Sequence, residues 1–367
     1  MTAPNVLVNM LWCVPGRVGG SEEYLVRQLL GLAELPGPQW RPTVAAALGL
    51  GSAHPELAAV ADVVEPHFAS QNRLRRVVGE ATWLRRHSAA AALVHHGGGT
   101  APFGARQPYV LTIHDLQFRT YPQYFSRSKH AYLSAIVPPS ARRAVMVAVP
   151  TEYVRDSVIR AYGIDGDRIA VVPHGLEPSL FEDITPEAEL RRKFALGDGP
   201  VLVYPAVTHP HKNHRFLLQL MRTHWTDPDL RLVLAGGEGL AEPEVSACTD
   251  GRVRRVGRVS AADRNGLLAM AEAMVFPSQY EGFGAPVIEA MALGAPVVCS
   301  DATCLPQVAG GAGLVRPLAA DAWAGALSEV QTRRSGLVAA GLLRAQDFTS
   351  TVSGAALAAV YRKALAI

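Results

Sequence analysis

The stretch SQYEGFGAPVIEAMALGAPVVCS, residues 278–300, follows the apolar run AMVFP and ends in a second apolar run, APVVCS. Both runs are short and favour strands, whereas the segment between them has a glycine-rich turn followed by a helical pattern. Pro286 is favoured in the first turn of a helix, and Gly294 is a favoured helix stop. The order strand, loop, helix, strand predicts a parallel α/β sheet.

The loop of this stretch is predicted to bind an anion. Glycines let a ligand approach the backbone, and amides at a helix N-terminus favour phosphate. The amides concerned belong to Gly282, Phe283, Gly284 and Ala285.

Two carboxylates flank this loop, Glu281 before it and Glu289 on the predicted first turn of the helix. A phosphate would repel them, so they must lie beside it, where they can accept hydrogen bonds from vicinal hydroxyls. A molecule with diols on both sides of a diphosphate is a sugar nucleotide. The simpler alternative is that Glu289 only stabilises the helix N-terminus and Glu281 is solvated.

Length and composition limit the class of protein. The 367 residues are too many for one compact core and indicate two domains. The apolar runs are shorter than a bilayer span, and no basic region precedes the first of them, so we expect a cytoplasmic protein. A net charge of +3 argues against nucleic-acid binding. The cysteines at 13, 248, 299 and 304 have no metal-ligand spacing and are interpreted as small buried residues.

Strand-like runs alternate with helical patterns, which predicts two doubly wound Rossmann-like domains. The strand candidates are NVLVNML, PTVAAAL, AAALVHH, YVLTIHD, VMVAVP and IAVVPHG in the first half, and VLVYPAV, RLVLAGG, VRRVG, AMVFPS, APVVCS and GLVRP in the second. Helices are predicted at 22–33, 152–162, 214–221, 261–271 and 286–293. Periodicity is lost near 174–183, so we place the domains at 1–172 and 173–345.

Other candidate site residues lie at the carboxyl ends of predicted strands, where ligands of such sheets bind. Gly19 and Gly20 form either a ligand-contacting loop or an ordinary turn, since they lack G-x-G-x-x-G spacing. His114 ends the strand YVLTI, and we expect the neighbouring Asp115 to orient the loop. Lys212 follows a strand and carries a compact charge suited to phosphate.

Three further patterns resemble functional sites but also have simpler explanations. Asp165-Gly166-Asp167 has the D-x-D form of a metal site but fits an ordinary turn between helix and strand, so no metal is predicted. HHGGG at 95–99 resembles a lipase oxyanion loop, but no G-x-S-x-G accompanies it, and we interpret it as a glycine-rich loop at the cleft edge. The basic segment 73–87 either rests on anionic lipid or, as we favour, packs on the sheet through Val77, Ala81 and Leu84.

In several motifs the chain resembles the retaining glycosyltransferases of family 4, which have the GT-B fold. EGFGAPVIE resembles the Glu-x7-Glu signature of that family, HPHKNHRFLL its phosphate-lysine motif, and VGGSEEYLVRQL its N-terminal Gly-Gly loop and helix. LTIHDLQFRTYPQYFS resembles the HDL segment of a bacterial mannosyltransferase-like branch, and residues 148–181 resemble the segment that enters the linker. The motifs occur in the family's order over most of the chain.

The resemblance implies roles for the candidate residues. Glu281 and His114 would contact the donor sugar, and Glu289 would hold the ribose, while Lys212 and the backbone from Phe283 to Ala285 would bind the diphosphate. The N-terminal glycines would contact donor phosphate or acceptor.

The sequence departs from the family pattern upstream of the lysine. Many relatives have an arginine there, and Ala206 stands near that place in this chain. We therefore expect Thr208, His209 or His211 to take the place of the missing arginine.

The expected function is that of a retaining, metal-independent hexosyltransferase with no cofactor. The donor would be a nucleotide diphosphate sugar, with GDP-mannose favoured by the HDL segment and UDP-sugars left open. The acceptor would be a hydroxyl of a glycan, a lipid-linked saccharide or a small-molecule natural product. By resemblance, the second domain binds the donor, the first binds the acceptor across a central cleft, and a helix within 346–367 returns to the first domain.

Two alternatives of other classes remain open. A sugar-nucleotide epimerase of the same fold would bind the same donor, and a non-catalytic sugar-nucleotide-binding protein would bind it without turnover. No nucleic-acid partner is expected, membrane contact would be peripheral, and the oligomeric state is open.

Overall fold

A computed structural model describes residues 4–16, 20–36 and 40–366 of the chain. The chain divides into two compact units. Unit 1 comprises Met1–Gly175 and Phe348–Ile367, and unit 2 comprises Leu176–Asp347. The domain limits predicted from the sequence fall after residues 172 and 345.

Unit 1 is built on a parallel sheet of seven strands in the order β3-β2-β1-β4-β5-β6-β7. Its strands are β1 (Val6–Met10), β2 (Thr43–Ala46), β3 (Asp62–Val64), β4 (Leu93–His96), β5 (Tyr109–Thr112), β6 (Met146–Val149) and β7 (Ile169–Val171). In the central register, Val8 lies opposite Val44 on one side and His95 on the other.

The inner strands of unit 1 are buried along their length because helices cover both faces of a parallel sheet. Every residue of β1 is buried, and the same holds for β4, β5 and β6. The prediction missed only β3, an edge strand of three residues that is partly exposed. Such a short edge strand carries no apolar run by which a sequence pattern could identify it.

The helices of unit 1 surround this sheet. They are Gly20–Ala33, Leu50–Ala53, Leu57–Val60, Arg73–Gly79, Arg85–His87, Gln117–Thr120, Arg127–Arg143, Glu152–Tyr162 and Ser350–Ala366. Two of the longer ones begin at side-chain caps, since Ser126 Oγ accepts from Lys129 N and Thr151 Oγ1 accepts from Val154 N.

The packing predicted for the basic segment 73–87 is wrong in part. Leu84 is buried, as predicted, but Val77 and Ala81 are exposed. The physical reason is a π-helical turn over Glu80–Leu84, which rotates the buried face away from the 3.6-residue period. Gly79 faces inward instead, because a Cβ there would lie 2.1 Å from Phe68 Cζ.

The helix Ser350–Ala366 packs on Gly20–Ala33 through glycine at both helices. A Cβ at Gly31 would lie 1.8 Å from the carbonyl oxygen of Ser350, and a Cβ at Gly354 would lie 2.1 Å from the carbonyl carbon of Gly31. This close backbone approach makes the C-terminal helix part of the core of unit 1.

Unit 2 is built on a parallel sheet of six strands in the order β10-β9-β8-β11-β12-β13. The strands are β8 (Val201–Pro205), β9 (Arg231–Ala235), β10 (Val253–Gly257), β11 (Ala273–Phe276), β12 (Val297–Ser300) and β13 (Leu314–Arg316). Its helices are Glu187–Lys193, His214–Thr223, Glu242–Ser246, Ala261–Ala269, Ala285–Ala292, Leu305–Ala309, Ala320–Ala324 and Ala326–Ala345. All six predicted strands are present, and the prediction of two parallel α/β domains is confirmed.

None of the helices within the described ranges is long and apolar enough to cross a membrane.

We expect Gly31→Ala to destabilise unit 1, because the added methyl group meets a backbone carbonyl that cannot move aside without separating the two helices. Overpacking of this kind costs about 1–3 kcal/mol. Urea denaturation of the purified protein measures the change.

Gly336→Ala is the matched control. Gly336 also lies within a helix, but a Cβ there would have no heavy atom within 4 Å. Its free energy of unfolding should rise by about 0.5–1 kcal/mol through helix propensity. Equal effects of the two substitutions would contradict the glycine contact.

Candidate active site

The glycine-rich turn of unit 2 joins β11 to the helix Ala285–Ala292. Gly284 precedes the helix with φ +86°, in the left-handed region that favours glycine. A Cβ at this position would also lie 2.7 Å from Leu305 Cδ2. The turn therefore requires glycine for both its backbone conformation and its packing.

This turn leaves donors at the helix N-terminus. The first hydrogen bond of the helix runs from Val287 N to Gly284 O, at 2.9 Å. The amides of Gly284 and Ala285 donate to no protein acceptor in the described part of the chain. Unused amides at the positive end of a helix form an anion-binding arrangement.

A lysine and a carboxylate meet beside this turn. Lys212 Nζ lies 2.6 Å from Glu281 Oε1, although the two residues are 69 positions apart, and their side chains are only 19 % and 11 % exposed. The ammonium also lies 5.6 Å from the ring centroid of Phe276, the last residue of β11. The structure thus brings together two residues that the sequence analysis had selected separately.

Hydrogen bonds hold the lysine loop, residues 206–213, against the glycine loop, residues 277–284. Gln279 N donates to His211 O at 2.7 Å, and Asn213 Nδ2 donates to Pro277 O at 3.3 Å. Asn213 itself has φ +57°, which turns the chain from the lysine into the next helix. Tyr204 Oη donates to Lys212 O at 2.6 Å, so the lysine backbone is fixed on both sides.

Sequence reasoning missed two residues that brace the glycine loop, Thr303 and Cys304. Glu281 N donates to Thr303 Oγ1 at 3.0 Å. Cys304 Sγ lies 3.3 Å from Glu281 O and 3.2 Å from Phe283 O, and burial raises the pKa of this thiol, which stays protonated as a donor. The prediction that Cys304 is buried is correct, but no sequence pattern showed that it supports this loop.

Glu289 lies deeper in the helix than predicted. The helix begins at Ala285, so Glu289 is on its second turn, about 6 Å along the axis from the first residue. Its side chain is buried, and Arg264 Nη1 lies 3.8 Å from Oε2. A helix start at Pro286, which the sequence predicts, would put Glu289 on the first turn, whereas the left-handed Gly284 starts the helix at Ala285.

Thr208 is fully buried, and its hydroxyl has protein partners. Thr208 Oγ1 donates to Glu242 Oε2 at 2.6 Å and accepts from Gly239 N at 2.7 Å. Glu242 also pairs with Arg255, whose hydrogen bonds hold the pKa of that carboxyl at about 2. In this structure Thr208 fixes the loop after β9, and its contact with phosphate stays a prediction.

The neighbouring His211 does not supply a full positive charge of the kind that an arginine would. His211 stacks on His209 at 5.7 Å between ring centroids. Burial, together with the charge of Lys212, lowers the pKa of His211 to about 3, so its imidazole is neutral near pH 7. A cation next to the glycines after β9 is Arg258, which follows β10 and whose Nη2 lies 3.6 Å from a Cβ built on Gly237.

Unit 1 holds the remaining candidates. Gly20 is the first residue of the helix Gly20–Ala33, while Gly19 lies outside the described residues. In the first turn of that helix, Glu22 Oε2 accepts from Gly16 N at 3.1 Å, and its other oxygen lies 2.9 Å from His54 Nε2. Glu22 therefore organises the loop after β1 from its helix side.

His114 follows β5 and has a defined tautomer. Its Nε2–H donates to Gly97 O at 2.8 Å, while Nδ1 is buried and makes no hydrogen bond in the described part of the chain. Burial lowers the pKa of His114 to about 4, so the ring is neutral and Nδ1 is an acceptor. The ring packs between Trp12 and Tyr24, with centroids 5.7 and 5.3 Å away. Asp115 Oδ1 accepts from Gln117 N at 2.7 Å, so it does orient the loop.

HHGGG is only in part the loop that the sequence suggested. His95 and His96 end strand β4, and only the glycines form the turn after it. His95 lies between Tyr361 Oη at 2.8 Å and Thr112 Oγ1 at 2.7 Å. Burial lowers the pKa of both histidines to about 3.

The D-x-D pattern forms a turn, in which Asp165 Oδ1 accepts from Asp167 N at 3.0 Å. Over the described ranges, the structure has no cluster of three or more His, Cys, Asp or Glu side chains that could hold a metal ion.

Comparisons with known families match both units. Residues 18–180 match the family described as Glycosyltransferase Family 4, and residues 199–333 match the one described as Glycosyl transferases group 1. The chain belongs to the family 4 glycosyltransferases.

Curated relatives of this family 4 chain include several sugar transferases. It is 31 % identical over 214 residues to O-antigen chain mannosyltransferase B of Escherichia coli, a match that covers 56 % of each chain. It is 28 % identical to O-antigen chain mannosyltransferase RfbU of Salmonella typhimurium over 60 % of each chain, and 24 % identical to alpha-D-kanosaminyltransferase of Streptomyces kanamyceticus over 80 % of each. The matched region thus spans little more than half the length of the first two relatives.

Solved structures share the fold of the family 4 chain at low identity. The Anabaena protein HepE in complex with UDP-glucose superposes with a TM-score of 0.76 at 18 % identity, covering 98 % of this chain and 100 % of that one. Sucrose-phosphate synthase of Thermosynechococcus elongatus gives a TM-score of 0.77 at 19 % identity, covering 99 % and 100 %. The predicted GT-B fold is confirmed.

We expect unit 1 to lose stability as the pH falls from about 6.5 toward 4. The folded pKa of His95 is near 3, whereas an unfolded histidine titrates near 6.5, so only the unfolded chain takes up a proton in this range. At pH 5 the lost free energy of unfolding is about 2 kcal/mol per buried histidine.

Urea denaturation at pH 7.5 and pH 5 measures this loss. His95→Gln should reduce the difference between the two pH values, whereas His87→Gln, at an exposed histidine of the same unit, should leave it unchanged. If His95→Gln did not alter the pH dependence, the assignment of a neutral buried His95 would be wrong.

Proposed function

We propose that the family 4 chain is a retaining glycosyltransferase that moves a hexosyl group, with mannosyl favoured, from a nucleotide diphosphate sugar to a hydroxyl acceptor. The observation that carries the proposal is the 2.6 Å pair of Lys212 and Glu281 beside the unused amides of Gly284 and Ala285. A cation and helix N-terminal amides suit a diphosphate, and a carboxylate suits sugar hydroxyls.

The pair is compatible with both roles at once. An ammonium has three donors, so Lys212 can keep its hydrogen bond to Glu281 and still donate to a phosphate oxygen. Glu281 retains a second carboxylate oxygen for a sugar hydroxyl. The bond between them then fixes the distance between the phosphate end and the sugar end of the donor.

The proposed chemistry is a front-face displacement. The bond between the anomeric carbon and the diphosphate oxygen breaks, and its electron pair leaves with the diphosphate. The acceptor oxygen bonds to the same face of the carbon, and its proton passes to the departing diphosphate. Lys212 and the amides stabilise the charge that develops on the leaving group, as preorganised donors do in low-dielectric sites.

Other residues have supporting roles in this proposal. His114 offers Nδ1 as an acceptor for a sugar hydroxyl, since its other nitrogen already donates to Gly97. Glu289 holds the ribose, and Thr208 supports the phosphate side through the loop after β9. We propose that neither a metal ion nor a cofactor takes part.

The relatives support the choice of sugar and donor. Two of those named above are mannosyltransferases, and HepE binds UDP-glucose. We therefore propose a sugar nucleotide as donor, with GDP-mannose as the first to be tested and UDP-glucose as the second. We also propose that the protein acts in the cytoplasm.

Glu281→Gln should abolish most transfer while nucleotide binding persists, because the amide keeps the shape but loses the charge that pairs with Lys212. We expect kcat to fall by about 10²-fold or more. Lys212→Gln should also weaken binding of the nucleoside diphosphate itself, by about tenfold. Initial rates with GDP-mannose and UDP-sugars, together with calorimetric titration of GDP and UDP, measure both effects.

Lys193→Gln is the matched control, because Lys193 and Asp263 form another 2.6 Å pair in unit 2. Its rates and affinities should equal those of the unmodified chain. Retention is checked from the anomeric configuration of the product, and metal independence from rates in EDTA. Unimpaired transfer by Glu281→Gln would refute the site, an epimerised sugar nucleotide formed without acceptor would indicate an epimerase, and binding without turnover would indicate a non-catalytic protein.

A further inference from the structure

A polar pocket is lined wholly by residues of unit 1. Its volume is about 540 Å³, and its lining includes Trp12, Arg73, Arg76, Ser128, Lys129 and Tyr132. Trp12 follows β1, and Gly98, which also lines the pocket, follows β4. The pocket therefore opens at the carboxyl edge of the sheet, where ligands of α/β domains bind.

The charge of this pocket is positive. Three of its lining side chains are cations, Arg73, Arg76 and Lys129, and none of the described residues that line it is a carboxylate. Burial and the neighbouring arginines lower the pKa of Lys129, as expected where like charges crowd, while Asp115 opposes this shift. Cations held this close to one another favour the binding of an anion.

The pocket also has donors that the protein does not use. Neither Trp12 Nε1 nor Arg76 Nε makes a hydrogen bond in the described part of the chain, although both atoms are buried. The carboxylate nearest to Arg76 Nε is Glu80, whose Oε1 is 4.0 Å away, beyond hydrogen-bond distance. Buried donors normally have acceptors, so a ligand with several acceptor oxygens would complete this site.

The pocket lies next to His114. Trp12, which lines the pocket, packs on the His114 ring at 5.7 Å. The loop between β4 and β5 contributes Gly98 to the pocket and the Gly97 carbonyl to His114. A Cβ at Gly98 would lie 2.6 Å from the indole of Trp12, so this loop and the indole are in close contact. A ligand in the pocket would therefore lie next to the residue that we propose contacts sugar.

We propose that this pocket binds a phosphate group of the acceptor, so that the acceptor is a phosphorylated saccharide. The inference rests on the proposed transferase function and adds the chemical class of the acceptor to it. Two arginines and a lysine suit a phosphate ester, with its charge and its several oxygens, better than they suit a ligand with a single carboxylate. The phosphate can belong to a soluble sugar phosphate or to the diphosphate of a lipid-linked sugar.

The exposed side of the helix Arg73–Gly79 is compatible with a lipid-linked sugar as the source of the phosphate. Leu74 and Val78 are 77 % and 61 % exposed, while Arg73 and Arg76 of that helix line the pocket. The experiment below distinguishes the two sources.

Binding to the full-length protein tests the proposal, with the donor site first saturated by GDP or UDP. Glucose 1-phosphate is titrated as the soluble probe, methyl glucoside as its uncharged counterpart, and polyprenyl diphosphate N-acetylglucosamine in neutral vesicles as the lipid probe. We expect at least one phosphorylated probe to bind, and methyl glucoside to bind at least tenfold more weakly than glucose 1-phosphate if the soluble probe is the one that binds. Vesicles with the uncharged polyprenol are the control for the lipid probe.

Three substitutions should each weaken the binding of the phosphorylated probe at least tenfold: Arg73→Gln, Arg76→Gln and Lys129→Gln. Arg75→Gln is the matched control, since Arg75 is exposed on the same helix and does not line the pocket. All four variants should bind the nucleoside diphosphate as the unmodified chain does, and an unchanged urea denaturation curve should verify that unit 1 stays folded.

If glucose 1-phosphate binds and its binding depends on these cations, the proposal is supported and the acceptor is soluble. If only the lipid probe binds in this way, the proposal is supported and the acceptor is lipid-linked. The proposal is overturned if neither phosphorylated probe binds, or if the pocket variants bind them as tightly as Arg75→Gln does. If the unmodified chain bound no nucleoside diphosphate, the proposed function of unit 2 would instead be refuted.

Discussion

The 2.6 Å contact between Lys212 and Glu281 is the constraint around which the candidate site of unit 2 is organised. Two opposite charges that are largely removed from water need each other, since an unpaired buried charge is costly. The lysine loop and the glycine loop must therefore stay in register, and Gln279, Asn213 and Tyr204 provide the hydrogen bonds that keep them there. The left-handed Gly284 then directs the helix N-terminus toward the same place.

Unit 1 differs from unit 2 in its candidate residues, because they are neutral histidines rather than a pair of opposite charges. His95, His96 and His114 are all held uncharged by burial, and hydrogen bonds to fixed partners set the orientation of His95 and His114. Neutral rings of this kind carry no charge that would attract an ion. Three cations, Arg73, Arg76 and Lys129, instead line the pocket beside Trp12, whose ring packs on that of His114.

Most strands and several site residues were predictable because they depend on local chemistry. Twelve of the thirteen strands were predicted, most of them from the apolar runs that a parallel sheet requires, whereas the short edge strand Asp62–Val64 was not. Glu289 was placed on the first turn of its helix, one residue too early, because the start of the helix depends on the conformation of Gly284 rather than on Pro286. Val77 and Ala81 were assigned to a buried face that the π-helical turn rotates away.

The sequence by itself determined the α/β class, the glycine turn, and the identity of the lysine and carboxylate candidates, because backbone preference and side-chain charge are properties of short segments. Only the tertiary structure decided their partners. The pairing of Lys212 with Glu281, the thiol of Cys304 under the glycine loop, and the buried role of Thr208 join residues from loops after different strands. The same holds for the three cations of the unit 1 pocket, since Lys129 comes from a different helix than Arg73 and Arg76. Contacts of this kind depend on how strands are ordered in the sheet, which no short stretch of sequence encodes.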